Sequence, residues 1–367
     1  MLFIFVGMCS LHGVAQINIG YNVKIQDTIE VDKYQFKTIG YSSYYLATEP
    51  GDYRILNPAA ARILNNETII KVELVYTDFP KGDNFSDLNK KRIIELFMHL
   101  PSAFNRQVVQ WVAVKQTGPK KASDLSKYFH GFVIHYRPIP PYQEESNIID
   151  NVINGIVAPS DSTLLKVFKR NAQWKDMLIV CDVTGSMAPY SAQLALWLKL
   201  NSTLKTAKQF VFFNDDEENS NTQEKELDKT GMWDVESYKF DKVVKVIKEA
   251  MQKGNHVENN LEAVFYALKK YPGSKKNVLM IADNWEDPCD MKLLAKLKEM
   301  KVPLRIIVCG VNASFNTKYL EMAYATGGSV HTMEQDLTDL AKLANGKTIK
   351  IGTMEFKLAG GKFYQMN

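Results

Sequence analysis

The sequence predicts an α/β protein in two parts: a domain built on a mainly parallel sheet, preceded by a smaller α+β domain. Three observations carry this. From about Trp174 onward, short β-branched runs alternate with helical patterns, as in a parallel sheet covered on both faces. The run Met177-Leu178-Ile179-Val180-Cys181 is apolar throughout, as a strand buried on both sides must be. Before it, residues 68–76, 88–100 and 108–115 read as strand, helix and strand. The expected divisions are 1–15, 16–172, 173–346 and a tail over 347–367.

Residues 1–15 are apolar and uncharged, with Gly13 and Ala15 at the −3 and −1 positions of a cleavage site, so a removed secretory signal and a mature start at Gln16 are expected. The location that follows is secreted, periplasmic or cell-envelope. The run falls short of the ~20 residues that span a bilayer, so no stable membrane insertion is expected. Tyr, Ile, Val and Thr then mark short strands over 18–25, 28–38 and 41–48. After the strand–helix–strand unit, 129–136 reads as a further strand, ended by Pro138-Ile139-Pro140-Pro141. Residues 147–156 and 162–171 read as helices. His99, His130 and His135 are scattered, form no paired motif, and are expected to pack or hydrogen-bond.

In the second part the strands fall at 177–181, 209–213, 277–282, 304–311 and 329–333, with a short edge strand near 232–235. Helices are expected from about Pro189 and over 240–253, 258–271, 291–301, 317–326 and 336–344. The tail alternates like a hairpin about Gly360-Gly361.

The chain has 367 residues, is 46% apolar and 23% charged, and carries a net charge of only +4. No dense Lys/Arg stripe is present, so nucleic acid is not an expected partner. Cys181, Cys289 and Cys309 are too far apart to read as a disulfide framework, and no Cys-x-x-Cys suggests zinc or redox chemistry.

The chemistry concentrates at Asp182-Val183-Thr184-Gly185-Ser186-Met187. Asp182, Thr184 and Ser186 are spaced i, i+2, i+4, so an extended chain leaving the strand would aim three oxygens one way. A carboxylate with two hydroxyls suits Mg²⁺, Mn²⁺ or Ca²⁺ and not soft metals. The plainer reading is that Asp and Thr cap the following helix, as such residues usually do. The hexapeptide resembles the metal-ion-dependent adhesion site of von Willebrand factor type A domains, written Asp-x-Ser-x-Ser, with Thr184 preserving a hydroxyl. The resemblance covers roughly the second half of the chain.

That resemblance implies a doubly wound, mainly parallel, Rossmann-like sheet of strand order 3-2-1-4-5-6. It makes Asp283, in Ile281-Ala282-Asp283-Asn284, the carboxylate of the third metal loop. The middle loop, where the family places a Thr, reads Gly254-Asn255-His256-Val257-Glu258-Asn259, and Asn255 would offer an amide oxygen instead. Sheets of this order bind ligands beyond the carboxyl ends of the strands where the order reverses. The metal set is therefore Asp182, Thr184, Ser186, Asp283 and Asn255, with no catalytic residue. The function it implies is an exported, non-enzymatic module that uses Mg²⁺ (or Mn²⁺ or Ca²⁺) to bind an exposed Asp or Glu of a protein partner. The alternatives are a metal-assisted hydrolase using His256 or Glu258, and a structural envelope protein with a degenerate site. Asn214-Asp215-Asp216-Glu217-Glu218 is a solvated acidic loop or a second Ca²⁺ site. Gly346-Lys347-Thr348 lacks the upstream glycine of a phosphate loop and leads into a strand, so it is rejected as one.

Overall fold

The structure, a computed structural model, describes residues 16–18, 22–36, 42–65, 67–104, 108–138, 140–214, 231–252, 259–285, 287–311 and 314–366. The signal expected over 1–15, the acidic residues 215–218 and the middle loop with Asn255 lie outside the described residues. The chain divides into two units at 139/140.

In the first unit, β1 (Gln16–Asn18), β2 (Asn22–Val31) and β3 (Ser42–Ala47) precede helix α1 (Pro58–Leu64). They are followed by β4 (Thr68–Thr77), α2 (Ser86–His99), β5 (Gln110–Gln116) and β6 (Gly131–Arg137). The sheet order is β1-β2-β5-β4-β6-β3. β4 and β5 pair in parallel across the α2 crossover, whereas β6 runs antiparallel to both β4 and β3. The strand breaks expected near 26–27 are a register shift inside one continuous strand, between Ile25 and Asp27. Helix α1 lay unrecognised in the sequence, although Pro58 at its start is a residue that suits a first turn. His99 bonds Glu95, His130 bonds Thr77, and His135 bonds Ser43, so each expected histidine is engaged in a hydrogen bond.

The second unit begins with α3 (Tyr142–Ile153) and α4 (Thr163–Arg170), which the sequence had grouped with the first domain. Both pack within the second unit. Phe168 of α4 stacks on Trp197 at 4.1 Å, and Lys199 Nζ donates to the carbonyl of Ile153 at 2.7 Å. β7 (Met177–Asp182), α5 (Ala188–Leu200), β8 (Ala207–Phe213), β9 (Met232–Glu236) and α6 (Phe240–Met251) follow. Next come α7 (Asn260–Lys270), β10 (Val278–Asp283), α8 (Leu294–Glu299), β11 (Leu304–Cys309), α9 (Thr317–Thr326) and β12 (Ser329–His331).

The helix expected over 336–344 does not form. Its first residues are the short strand β13 (Asp336–Leu337), antiparallel to β12, followed by a single 3-10 turn at Leu340–Lys342. Tertiary bonds override helical patterning here: Asp336 is held by Arg170 at 2.8 Å and by His331 at 2.9 Å. The tail is a three-stranded sheet, β14 (Thr348–Ile351), β15 (Met354–Ala359) and β16 (Lys362–Gln365), with the expected turn at Gly360-Gly361 joining the last two. Its Phe356, Leu358 and Phe363 enter the core of the second unit.

The seven-stranded sheet runs β13-β12-β11-β10-β7-β8-β9. It is parallel except at its two outermost pairings, and it is flanked by helices. Leu178, Val180, Val211 and Met280 join residues of α7, α8 and α9 in one continuous core, while their alternates Ile179, Cys181, Phe210 and Phe212 point to the other side and are equally buried. From β7 the chain moves outward to β8 and β9, then returns to place β10 on the other side of β7. The order therefore reverses between the two central strands.

Phe210 is fully buried and Leu204 is 64% exposed. Phe210→Ala is expected to lower unfolding free energy by roughly 3–5 kcal/mol. Leu204→Ala should stay within about 0.5 kcal/mol, as read by denaturant titration.

Candidate functional site

The site forms where β7 and β10 end side by side. Their pairing runs in parallel register from Leu178↔Val278 to Cys181↔Ile281, so Asp182 and Asp283 leave the same end of the sheet. Both carboxylates are buried, at 0% and 1% exposure. Asp182 Oδ1 accepts the Thr184 amide at 2.8 Å, a local side-chain turn that bends the chain as it leaves the strand. The amide of Met187 then closes on the Thr184 carbonyl at 2.7 Å, and Gly185–Met187 form a 3-10 turn leading into α5.

The convergence thus arises by a different route from the extended chain expected. Thr184 Oγ1 and Ser186 Oγ lie 3.2 Å apart because the turn folds them together. Ser186 donates its hydroxyl to Asp283 Oδ2, joining two loops 97 residues apart. Asp283 Oδ1 accepts the Trp285 amide at 2.8 Å. Asp182, Thr184, Ser186 and Asp283 are therefore linked through successive hydrogen bonds. Asn255, His256 and Glu258 lie outside the described residues.

The loops after β10 and β11 are cross-braced by polar side chains that sequence reading did not single out. Asn284 is fully buried, donates to the Ser314 carbonyl at 3.0 Å, and accepts the Asn316 amide at 2.8 Å. Asn316 in turn donates to Asp287 at 2.9 Å. Asn260, the first residue of α7, is fully buried, and neither polar atom of its side-chain amide has a hydrogen-bond partner among the described residues. Such a group is an expected anchor for an ordered water or a ligand atom. Asparagines in the loops that follow apolar strands are the one sequence signal that pointed to this bracing.

The donor set can be tested against a divalent ion on its own chemistry. It consists of hard oxygens: two carboxylates and two hydroxyls, taken from two strand ends. Adjacent oxygens of an octahedral Mg²⁺ shell stand about 2.9 Å apart, given metal–oxygen bonds near ~2.1 Å. The 3.2 Å separation of the two hydroxyl oxygens is close to that spacing. Among the described residues, no three His, Cys, Asp or Glu side chains gather as a metal-binding group, so an ion here would depend on the hydroxyls as well as the acids. The residues fit a hard cation, with Asp182 and the hydroxyls of Thr184 and Ser186 as its holders and Asp283 bracing Ser186.

Cysteines flank this region. Burial, with the Asp182 charge adding to it, pushes the Cys181 thiol well up, and burial does the same to Cys309, opposite Asp283 on β11. Cys289 is exposed. A thiol-specific aromatic disulfide is therefore expected to modify Cys289 in the native protein and to reach Cys181 and Cys309 only on unfolding, as peptide mapping will read. At Gly310, whose φ is +72°, an added Cβ would lie 2.3 Å from the Trp285 ring. Gly310→Ala should displace Trp285, loosen its amide bond to Asp283, and cost about 1–3 kcal/mol of stability by thermal unfolding.

No protein-family model and no curated protein matches this chain.

Proposed function

We propose that the second unit is a doubly wound, von Willebrand factor type A-like domain. In this reading it holds Mg²⁺ or Mn²⁺ at the carboxyl ends of β7 and β10 and uses the ion to bind an acidic side chain of a protein partner. The observation that carries the reading is the hydroxyl of Ser186 on the carboxylate of Asp283, which joins two loops at the point where the strand order reverses. Ligands of open parallel sheets bind at that point.

The chemistry favours binding over turnover at this place. A hard cation held by one acid and two hydroxyls, with a second acid bracing one of those hydroxyls, keeps water in the remainder of its shell and a surplus of positive charge. An Asp or Glu from a partner can replace one of those waters with a charge-assisted contact that neutral side chains do not match. Hydrolysis would need a base beside the ion; among the described residues the carboxylates there are engaged in forming the site itself, and His256 and Glu258 lie outside the described residues. The uncharged apolar opening of the sequence supports export, which puts the partner outside the cytoplasm. Among the described residues, no helix is long and apolar enough to cross a membrane.

Calorimetric titration with Mg²⁺ and Mn²⁺ tests the ion. The wild-type protein should bind one equivalent, and Asp182→Ala should weaken binding by more than about 100-fold without loss of fold. Equal binding by both proteins places any ion elsewhere. Partners captured on the immobilised protein should be released by EDTA and absent from Asp283→Ala. An unchanged set in both conditions would move recognition away from this surface.

A further inference from the structure

The opposite end of the same sheet carries a side-chain cluster that ion binding does not use. Gly327 closes α9 in the left-handed region, at φ 72°. Gly328 then lies so close to β11 that an added Cβ would stand 1.9 Å from the Leu304 carbonyl oxygen. β12 therefore starts flush against β11, in a register that sets Ser329 beside Arg305. Ser329 and His331 are two residues apart on a strand and share a face. Antiparallel pairing of His331 with Asp336 brings in a carboxylate.

The contacts form a chain. Ser329 Oγ lies 2.7 Å from His331 Nε2, and His331 Nδ1 lies 2.9 Å from Asp336 Oδ1. Asp336 is fixed independently, by Arg170 at 2.8 Å and by the amide of Asn171 at 3.0 Å. Although burial raises it, the hydrogen bonds from Arg170, His331 and Asn171 bring the Asp336 carboxyl down to about 2, so it is ionised at neutral pH. An ionised carboxylate can only accept, so Nδ1 of His331 carries the hydrogen. Nε2 is left bare, facing the Ser329 hydroxyl, in the arrangement of a general base on a serine nucleophile.

The cluster opens on a cavity of about 280 Å³ lined by Trp174, Arg305, Ser329 and His331. Trp174 packs edge-on to His331 at 4.8 Å, and the Arg305 guanidinium sits over the Trp174 ring at 5.6 Å. Among the described residues, the lining of the cavity includes no acidic side chain to pair with that guanidinium. The first unit has a serine, a histidine and an acid at Ser43, His135 and Glu73, but there the acid lies 3.5 Å from the ring and is taken up by Tyr34 and Lys71 at 2.5 Å each. The cluster of the second unit, by contrast, combines an acid within 2.9 Å of the ring, a bare ring nitrogen, a serine and a cavity.

We propose that Ser329 is the nucleophile of a second site, acting on small carboxylic esters that carry an anionic group held by Arg305. Ser329 Oγ bonds to the ester carbonyl carbon as its proton passes to His331 Nε2. The bond from that carbon to the leaving alcohol oxygen breaks, and the oxygen takes the proton from His331. Water then attacks the acyl-serine with His331 again as base, releasing the carboxylic acid and restoring the Ser329 hydroxyl. Asp336 stays ionised throughout as a positioning residue. The activity goes beyond the proposed ion-dependent binding and does not depend on it.

The test uses the full chain in EDTA, which separates it from the ion. A fluorophosphonate probe with peptide mapping should place its adduct on Ser329. A 4-nitrophenyl ester with a distal carboxylate should be hydrolysed, and Ser329→Ala should lose at least 100-fold in rate and all labelling. Asp336→Asn should lower kcat by at least 100-fold with KM unchanged, because it reverses the ring tautomer. Arg305→Met should raise the KM for the anionic ester about 10-fold relative to that for neutral 4-nitrophenyl butyrate. Absence of a Ser329 adduct on the wild-type protein overturns the proposal, whatever the variants do. So does hydrolysis by Ser329→Ala at the wild-type rate.

Discussion

The candidate metal centre depends on one contact, the hydroxyl of Ser186 on the carboxylate of Asp283. Each acid ends a strand that is buried along its whole length, so neither can move to solvent without tearing the centre of the sheet. Two carboxylates brought together in a dry interior repel and lose hydration, which is costly unless each is met by donors or a cation. The fold meets part of this locally. The Thr184 amide serves Asp182, and the Trp285 amide and the Ser186 hydroxyl serve Asp283. A divalent ion would add a positive charge beside both acids, which is the chemistry that this set of hard oxygens suits.

Holding that geometry falls to the loops, and they are braced by short polar links. Asn284 and Asn316 tie the loop after β10 to the loop after β11, and Gly310 leaves room for the Trp285 ring against the backbone. The far end of the sheet is organised on the same logic with different groups. There Asp336 is neutralised by Arg170 and orients His331, and close backbone approach at Gly328 sets the register. One mainly parallel sheet thus presents oxygen donors at the carboxyl ends of its strands, and a serine, an imidazole and a guanidinium at the other end.

Much of this was legible in the chain. Continuous apolar runs marked β7 and β10, because strands buried on both faces leave no room for polar alternation. The position of Asp182 and Asp283 immediately after those runs puts two acids at strand ends. The mode of convergence was not legible: a 3-10 turn, not an extended chain, brings Thr184 to Ser186, since the Asp182 side chain captures the Thr184 amide. The helix expected over 336–344 failed because Asp336 is fixed by groups 5 and 166 residues away, which no local pattern records. The same contacts hid the Ser329–His331–Asp336 chain, whose only sequence trace is a Ser and a His two apart on a strand.

The central claim is that a divalent ion sits between the ends of β7 and β10. Crystals grown with Mn²⁺ and measured at the manganese absorption edge test it most directly. The account predicts one anomalous peak within about 2.2 Å of Asp182, Thr184 or Ser186 oxygens, with water completing the shell. A peak confined to another part of the chain, with Ser186 and Asp283 unchanged, would contradict it.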